Sequence, residues 1–180
     1  MVEGKDKGQG HGEFGVVPGL ELGQAERLLK KRNPHPRLKS FDYSGRHAYH
    51  VVTNVAEPGM SLLDDKLPEK ITASLMGTAA ATEFRLLAFC LMPNHLHILA
   101  LGSGEDSNLV KFMQQFKQKT AFSFKKDTGL RLWQMSFYDR VLRMDEDLNR
   151  VATYIFQNPV EEGLVTSAEA YMFSGGEYFK

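Results

Sequence analysis

The sequence predicts an α+β domain: an antiparallel sheet with helices packed on one face and a further helix added at the C-terminal end. Three observations carry this. Phe84 to Met92 (FRLLAFCLM) is almost wholly apolar, as a strand buried on both faces is. Pro93-Asn94 then reads as a tight turn into a second apolar run, His95 to Leu101 (HLHILAL). Segments of helical period lie on either side of this hairpin, alternating with two more strand-like runs.

The first strand is Arg46 to Asn54 (RHAYHVVTN), with the aromatic and β-branched bias of a sheet. Asp64 or Asp65 can cap a helix that begins near Pro68, a residue tolerated in a first turn, and Ile71, Leu75, Met76, Ala79 and Ala80 form its apolar face. After the central hairpin, Ser107 suits the N-cap of a second helix. Its stripe is Leu109, Met113, Phe116, Thr120 and Phe124. A fourth strand falls within Leu132 to Met144. The last helix starts near Asp145 and is expected to end near Asn158, because Pro159 follows. The order strand, helix, strand, strand, helix, strand, helix, with the hairpin paired centrally, is a ferredoxin-like arrangement plus one helix.

Outside this stretch, residues 1–36 read as a flexible or accessory N-terminal segment, with a short helix over Leu20 to Lys31 stopped by Asn33-Pro34-His35-Pro36. Residues 37–165 form one domain, and 166–180 are expected to be a C-terminal tail. The composition, 42% hydrophobic and 11% aromatic over 180 residues, supports a real core. The single cysteine, Cys90, rules out an intramolecular disulfide framework and any zinc site built from several thiolates. No run of ~18 apolar residues could span a membrane, and the N-terminus lacks the apolar core of a signal peptide. The expected location is the cytoplasm, with no membrane partner.

Twenty-two basic residues balance 22 acidic ones. The distribution is uneven: residues 30–47 and 111–132 each carry +5. Phosphate backbones respond to local lysine and arginine density, so a neutral total leaves a polyanion partner open. Arg37, Lys39 and Arg46 interleave with Phe41, Tyr43 and Tyr49, a mixture able to pair phosphates and stack unpaired bases. Lys111, Lys117 and Lys119 lie on the second helix and can track a backbone. Trp133 reads as a core residue or a stacking platform.

Two motifs bear on chemistry. In His95-Leu96-His97 strand alternation places both imidazoles on one face, where they can hold one divalent cation or simply occupy a half-exposed strand. In Tyr154-Ile155-Phe156-Gln157-Asn158-Pro159, helical spacing makes Tyr154 and Asn158 neighbours at the border of the stripe Leu148, Val151, Ala152, Ile155. A border tyrosine can be an amphipathic packing residue. It can also present a phenol beside an amide oxygen to a metal.

Together these stretches resemble the histidine-hydrophobe-histidine (HUH) single-tyrosine transposases. FCLMPNHLHILA looks like their histidine motif, and LWQMSFYDRVLRMDEDLNRVATYIFQNPVEEGLV like their downstream half. RLKSFDYSGRHAYHVVTN is similar to the opening of the REP-associated branch. The resemblance covers residues 37–165. It implies a metal-dependent single-strand DNA endonuclease and strand transferase forming a 5′-phosphotyrosine intermediate at hairpin-flanked sites. By position it makes Tyr154 the nucleophile, His95 and His97 metal ligands, and Asn158 the third ligand, with Gln157 a lesser claimant. The expected cofactor is Mg²⁺ or Mn²⁺, with no nucleotide. The expected partner is single-stranded or hairpin DNA, bound by a monomer or homodimer. A non-catalytic DNA- or RNA-binding module on the same fold is the alternative. No role follows for His50.

Overall fold

The structure is a computed structural model that describes residues 41–143 and 147–179. The expected N-terminal helix, Arg37 and Lys39 lie outside these residues. The elements are β1 (Ala48–Asn54), α1 (Leu67–Ala81), β2 (Phe84–Leu91), β3 (His95–Gly102), α2 (Leu109–Thr128), β4 (Tyr138–Leu142), α3 (Leu148–Glu161), a 3₁₀ turn (Ala168–Ala170) and β5 (Ser174–Gly175). They build a five-stranded antiparallel sheet in the order β4-β1-β3-β2-β5. This is the α+β sheet with three helices that the element order implies.

Each face of the sheet has its own core. Tyr49, Val51, Leu96, Ile98 and Ala100 point to one side, where Ile71 and Leu75 of α1 and Phe112 and Phe116 of α2 cover them. Ala48, Leu99, Cys90 and Leu142 point to the other, where Val151, Ala152 and Ile155 of α3 pack. So α1 and α2 share one face, and the added helix closes the opposite one. A register shift in β2 between Leu86 and Ala88 turns both Leu87 and Ala88 toward α3.

Four local expectations are corrected. First, neither Asp64 nor Asp65 caps α1. The N-cap is Lys66 without a side-chain bond, and Asp65 has φ 48°. Second, Ser107 does not cap α2. Its Oγ is buried, accepts from the amides of Ser103 and Gly104, and donates to the Glu83 carbonyl. Asn108 caps instead, accepting from the Lys111 amide at 2.9 Å.

Third, α3 does not stop before Pro159 but runs to Glu161. Proline lacks the N–H that would reach the Ile155 carbonyl, and the Asn158 amide nitrogen lies 3.5 Å from that oxygen. After the cap at Glu162 the chain turns away at Gly163, in the left-handed region at φ 70°.

Fourth, residues 166–179 are no tail. β5 pairs with β2 and covers its edge, and the buried Tyr171 hydroxyl donates to the Leu91 carbonyl at 2.7 Å. Arg85 on β2 pairs with Glu177. Gly176 sits at φ 121°, where a Cβ would lie 2.7 Å from the Ala88 Cα, so this return needs glycine. Two paired residues flanked by glycine carry too little periodicity to read as a strand.

A candidate metal and nucleophile site on the α3 face

The site forms because β1, β3 and α3 each place a polar residue in the second core. Val52 pairs with His97 and Asn54 with His95, so the two histidines stand on the α3 side of β3 while Leu96 and Ile98 anchor the other side. His50 stands on the same face of β1, two residue pairs along. Asp147 starts α3, its carboxylate accepting from the amides of Asn149 and Arg150. Tyr154 then follows about two turns on, half-buried, and Asn158 one turn later, buried.

The three imidazoles form a chain. Asn94 Oδ1 lies 2.6 Å from His95 Nδ1, His95 Nε2 lies 2.9 Å from His97 Nε2, and His97 Nδ1 lies 3.1 Å from His50 Nε2. The His50 and His97 rings stack, with centroids 5.4 Å apart. The Tyr154 ring meets both edge-on, 6.1 Å from His50 and 6.0 Å from His97. Asn158 Nδ2 donates to the Tyr154 carbonyl at 2.6 Å, which turns its Oδ1 outward from the helix.

Burial holds all three rings in their neutral form. The pKa of His50 falls to about 4, pushed down first by burial and then by the positive charge of Arg140. His97 is lowered well below its usual value by burial and by the other two rings, against which its hydrogen bond to Asn158 works. His95 is lowered by burial, with the Glu162 carboxylate opposing. Neutral imidazole is the form that ligates metal.

The residues present fit a divalent cation. The 2.9 Å between the two Nε2 atoms is the span of adjacent ligands in an octahedron with bonds of ~2.1 Å. Two neutral imidazoles with an amide oxygen suit Mn²⁺ at least as well as Mg²⁺. Among the described residues no three His, Cys, Asp or Glu side chains converge to hold a metal, so a third protein ligand would be an amide or phenol such as Asn158 or Tyr154.

The other expected contacts are scattered. Tyr43 is buried, stacked 6.0 Å from Tyr49, and its ring faces no solvent on which a base could stack. Lys117 donates to the carbonyls of Gln134 (2.7 Å) and Ser136 (2.9 Å), so its ammonium is spent on the chain before β4. Lys111 and Lys119 are exposed. Arg46 is exposed and pairs with Glu105 at 3.6 Å. Arg46 precedes β1, at the end of that strand away from His95, a strand length of ~20 Å. Trp133 is core, its indole N–H donating to Thr120 Oγ1 at 2.8 Å.

His50 is the residue that sequence reasoning left without a part. Alternation within β1 puts it beside Ala48, but only the pairing register with β3 sets it against His97. That register is long-range and is not written in either strand alone.

Comparison with known proteins adds a lineage. The family profile described as "Transposase IS200 like" matches residues 43–158, from before β1 through Asn158. A Haemophilus influenzae protein assigned to the REP-associated tyrosine transposases is 28% identical over 147 residues, covering 76% of this chain and 82% of that protein. The Escherichia coli K12 REP-associated tyrosine transposase is 30% identical over 93 residues, 51% of this chain and 53% of that one. The solved structure of a REP-associated tyrosine transposase bound to a REP hairpin superposes with a TM-score of 0.64 at 19% identity. It covers 77% of this chain and 82% of its own and shares the fold.

Proposed function

The chain belongs to the family of IS200-like transposases, and from that membership we propose that it is a metal-dependent single-strand DNA endonuclease and strand transferase working through a 5′-phosphotyrosine intermediate. Its substrate is a DNA hairpin with a short single-stranded flank; the solved relative is bound to a REP hairpin. One observation carries the reading: a tyrosine on α3 lies edge-on to the imidazole pair of β1 and β3, far away in sequence, with an amide one helical turn beyond it.

Tyr154 Oη attacks the scissile phosphorus. The Tyr154 O–P bond forms, the P–O3′ bond breaks, the phenol loses its proton, and the departing 3′ oxygen takes one up. The phosphotyrosine keeps the energy of the broken phosphodiester, so a new 3′-OH can reverse the step without ATP. His95 and His97 would hold the cation, with the Asn158 amide oxygen as the third protein ligand. The chemistry that Mg²⁺ or Mn²⁺ supplies when held there is withdrawal of charge from the phosphate as it is attacked. A phenol with an ordinary pKa near ~10 is a poor nucleophile at neutral pH, which is why such help is needed. The Tyr154 ring, wedged against two imidazoles, is oriented by packing before substrate arrives.

The test is the polarity of cleavage. A hairpin oligonucleotide labelled at either end is incubated with protein and Mn²⁺. The fragment on the 3′ side of the cut should run joined to protein, and the other should end in a free 3′-OH. Label from the 5′ side on the protein, or cleavage with no adduct at all, would overturn the reading.

A further inference from the structure

The buried His50 touches none of the atoms that would ligate a cation, yet it is joined to one of the two rings that would. Resting on the metal reading above, we propose that His50 is a positioning residue that sets the tautomer of His97 and so its capacity to bind the cation.

The argument is a proton count. A neutral imidazole carries one N–H and one bare nitrogen. Asn94 Oδ1 accepts, so His95 Nδ1 carries the His95 proton and His95 Nε2 is bare. The 2.9 Å contact then makes His97 Nε2 the donor and His97 Nδ1 bare, and the 3.1 Å contact makes His50 Nε2 the donor to His97. Binding a cation through His97 Nε2 needs that atom's lone pair, so the His97 proton must stand on Nδ1. His50 Nε2 must then accept, and the His50 proton moves to its own Nδ1. Each ring keeps one proton throughout.

The residue at position 50 therefore has to donate in one state and accept in the other at the same place. Imidazole does so by changing tautomer, and a glutamine amide can do so by flipping. An aliphatic side chain can do neither. His50 Nδ1 is buried with no hydrogen-bond partner, so no second residue competes for the ring. A packing residue would have no reason to bring an orphaned nitrogen into this core. Partners of metal-ligating histidines commonly govern affinity by 10–100-fold.

The experiment measures Mn²⁺ affinity by electron paramagnetic resonance in the Tyr154→Phe background, where no cleavage occurs. The chains compared carry His50, His50→Leu or His50→Gln, with His97→Ala as reference and thermal melts in parallel. His50→Leu should bind Mn²⁺ ~10–100-fold more weakly while melting no lower than its parent, and His50→Gln should restore most of the affinity. Equal affinity for His50→Leu and His50 would overturn the positioning role and leave the metal reading standing. Equal loss in the Leu and Gln variants would also overturn it, making His50 a matter of shape. If the His50 chain and His97→Ala bind alike, the metal reading itself fails and the inference with it.

Discussion

The two faces of the sheet are built from the same strands, and residue by residue they alternate between opposite tasks. On the α1/α2 face, Tyr49, Val51, Leu96 and Ile98 meet Phe112 and Phe116 in a continuous core. On the α3 face the neighbouring residues His50 and His97 sit among Leu99, Cys90 and Ile155 and bring Tyr154 and Asn158 with them. Burying an imidazole costs free energy that burying a leucine returns. The first face holds the domain together, and its stability lets the second carry groups that a purely structural core would exclude.

The sharpest way to separate the faces is to damage each and read both stability and cleavage. On the proposed metal-dependent mechanism, replacing His95 and His97 with alanine should lower hairpin cleavage on the order of a thousandfold, since charge withdrawal at the phosphate would contribute several kcal/mol. Stability should move by no more than ~1–2 kcal/mol, because no large apolar side chain leaves the core. A thousandfold loss explained by unfolding would erase the distinction. Phe112→Ala should show the reverse pattern: ~3–5 kcal/mol of stability lost in a denaturant titration, with the rate per folded molecule unchanged.

The faces should also respond differently to acid. His50 titrates near 4 in the fold against 6.5 for an unperturbed ring. Between those values the unfolded chain binds a proton that the native chain does not, so stability is fully present above about pH 6.5 and falls as the pH drops toward 4. The loss amounts to roughly 3 kcal/mol for this one ring. His97, also depressed, adds to it in the same direction. Urea titrations from pH 7 to 4.5 should show this slope, and His50→Leu should flatten it. An unchanged slope in that variant would place the acid sensitivity elsewhere.

The smallest effects concern the lysines of α2, which lie away from the imidazoles. Lys111→Ala should weaken binding to all single strands alike and reduce the salt slope by ~0.7 log unit per log unit of salt. Lys117→Ala should instead cost about 1 kcal/mol of stability, through the carbonyls it now caps. Equal salt effects from both would mean that the cap gives way to DNA.

What was legible follows from how local each signal is. The β2–β3 hairpin could be read because two apolar runs flank Pro93-Asn94, and alternation alone aligned His95 with His97. Helical spacing alone paired Tyr154 with Asn158. Contacts that depend on register or on a competing partner could not be read. His50 needed the pairing of β1 with β3. Ser107 looked like a cap, but the Glu83 carbonyl and two amides claimed its hydroxyl. Tyr43 sat in a basic, aromatic stretch suited to bases, yet its ring stacks on Tyr49 in the core. Pro159 reads as a stop, but it falls in the last turn, where a single missing N–H does not end a helix.

The claim on which the rest depends is that Tyr154 alone attacks phosphorus. Tyr171, a buried tyrosine of the same core, has its hydroxyl committed to the Leu91 carbonyl, so it offers no substitute. Tyr154→Phe removes one oxygen and keeps the ring that packs on His50 and His97. Incubated with a hairpin substrate and Mn²⁺ and run on a denaturing gel, wild type should show a covalent protein–DNA band. Tyr154→Phe should bind the same hairpin and show none, and a covalent band from that variant would contradict the account.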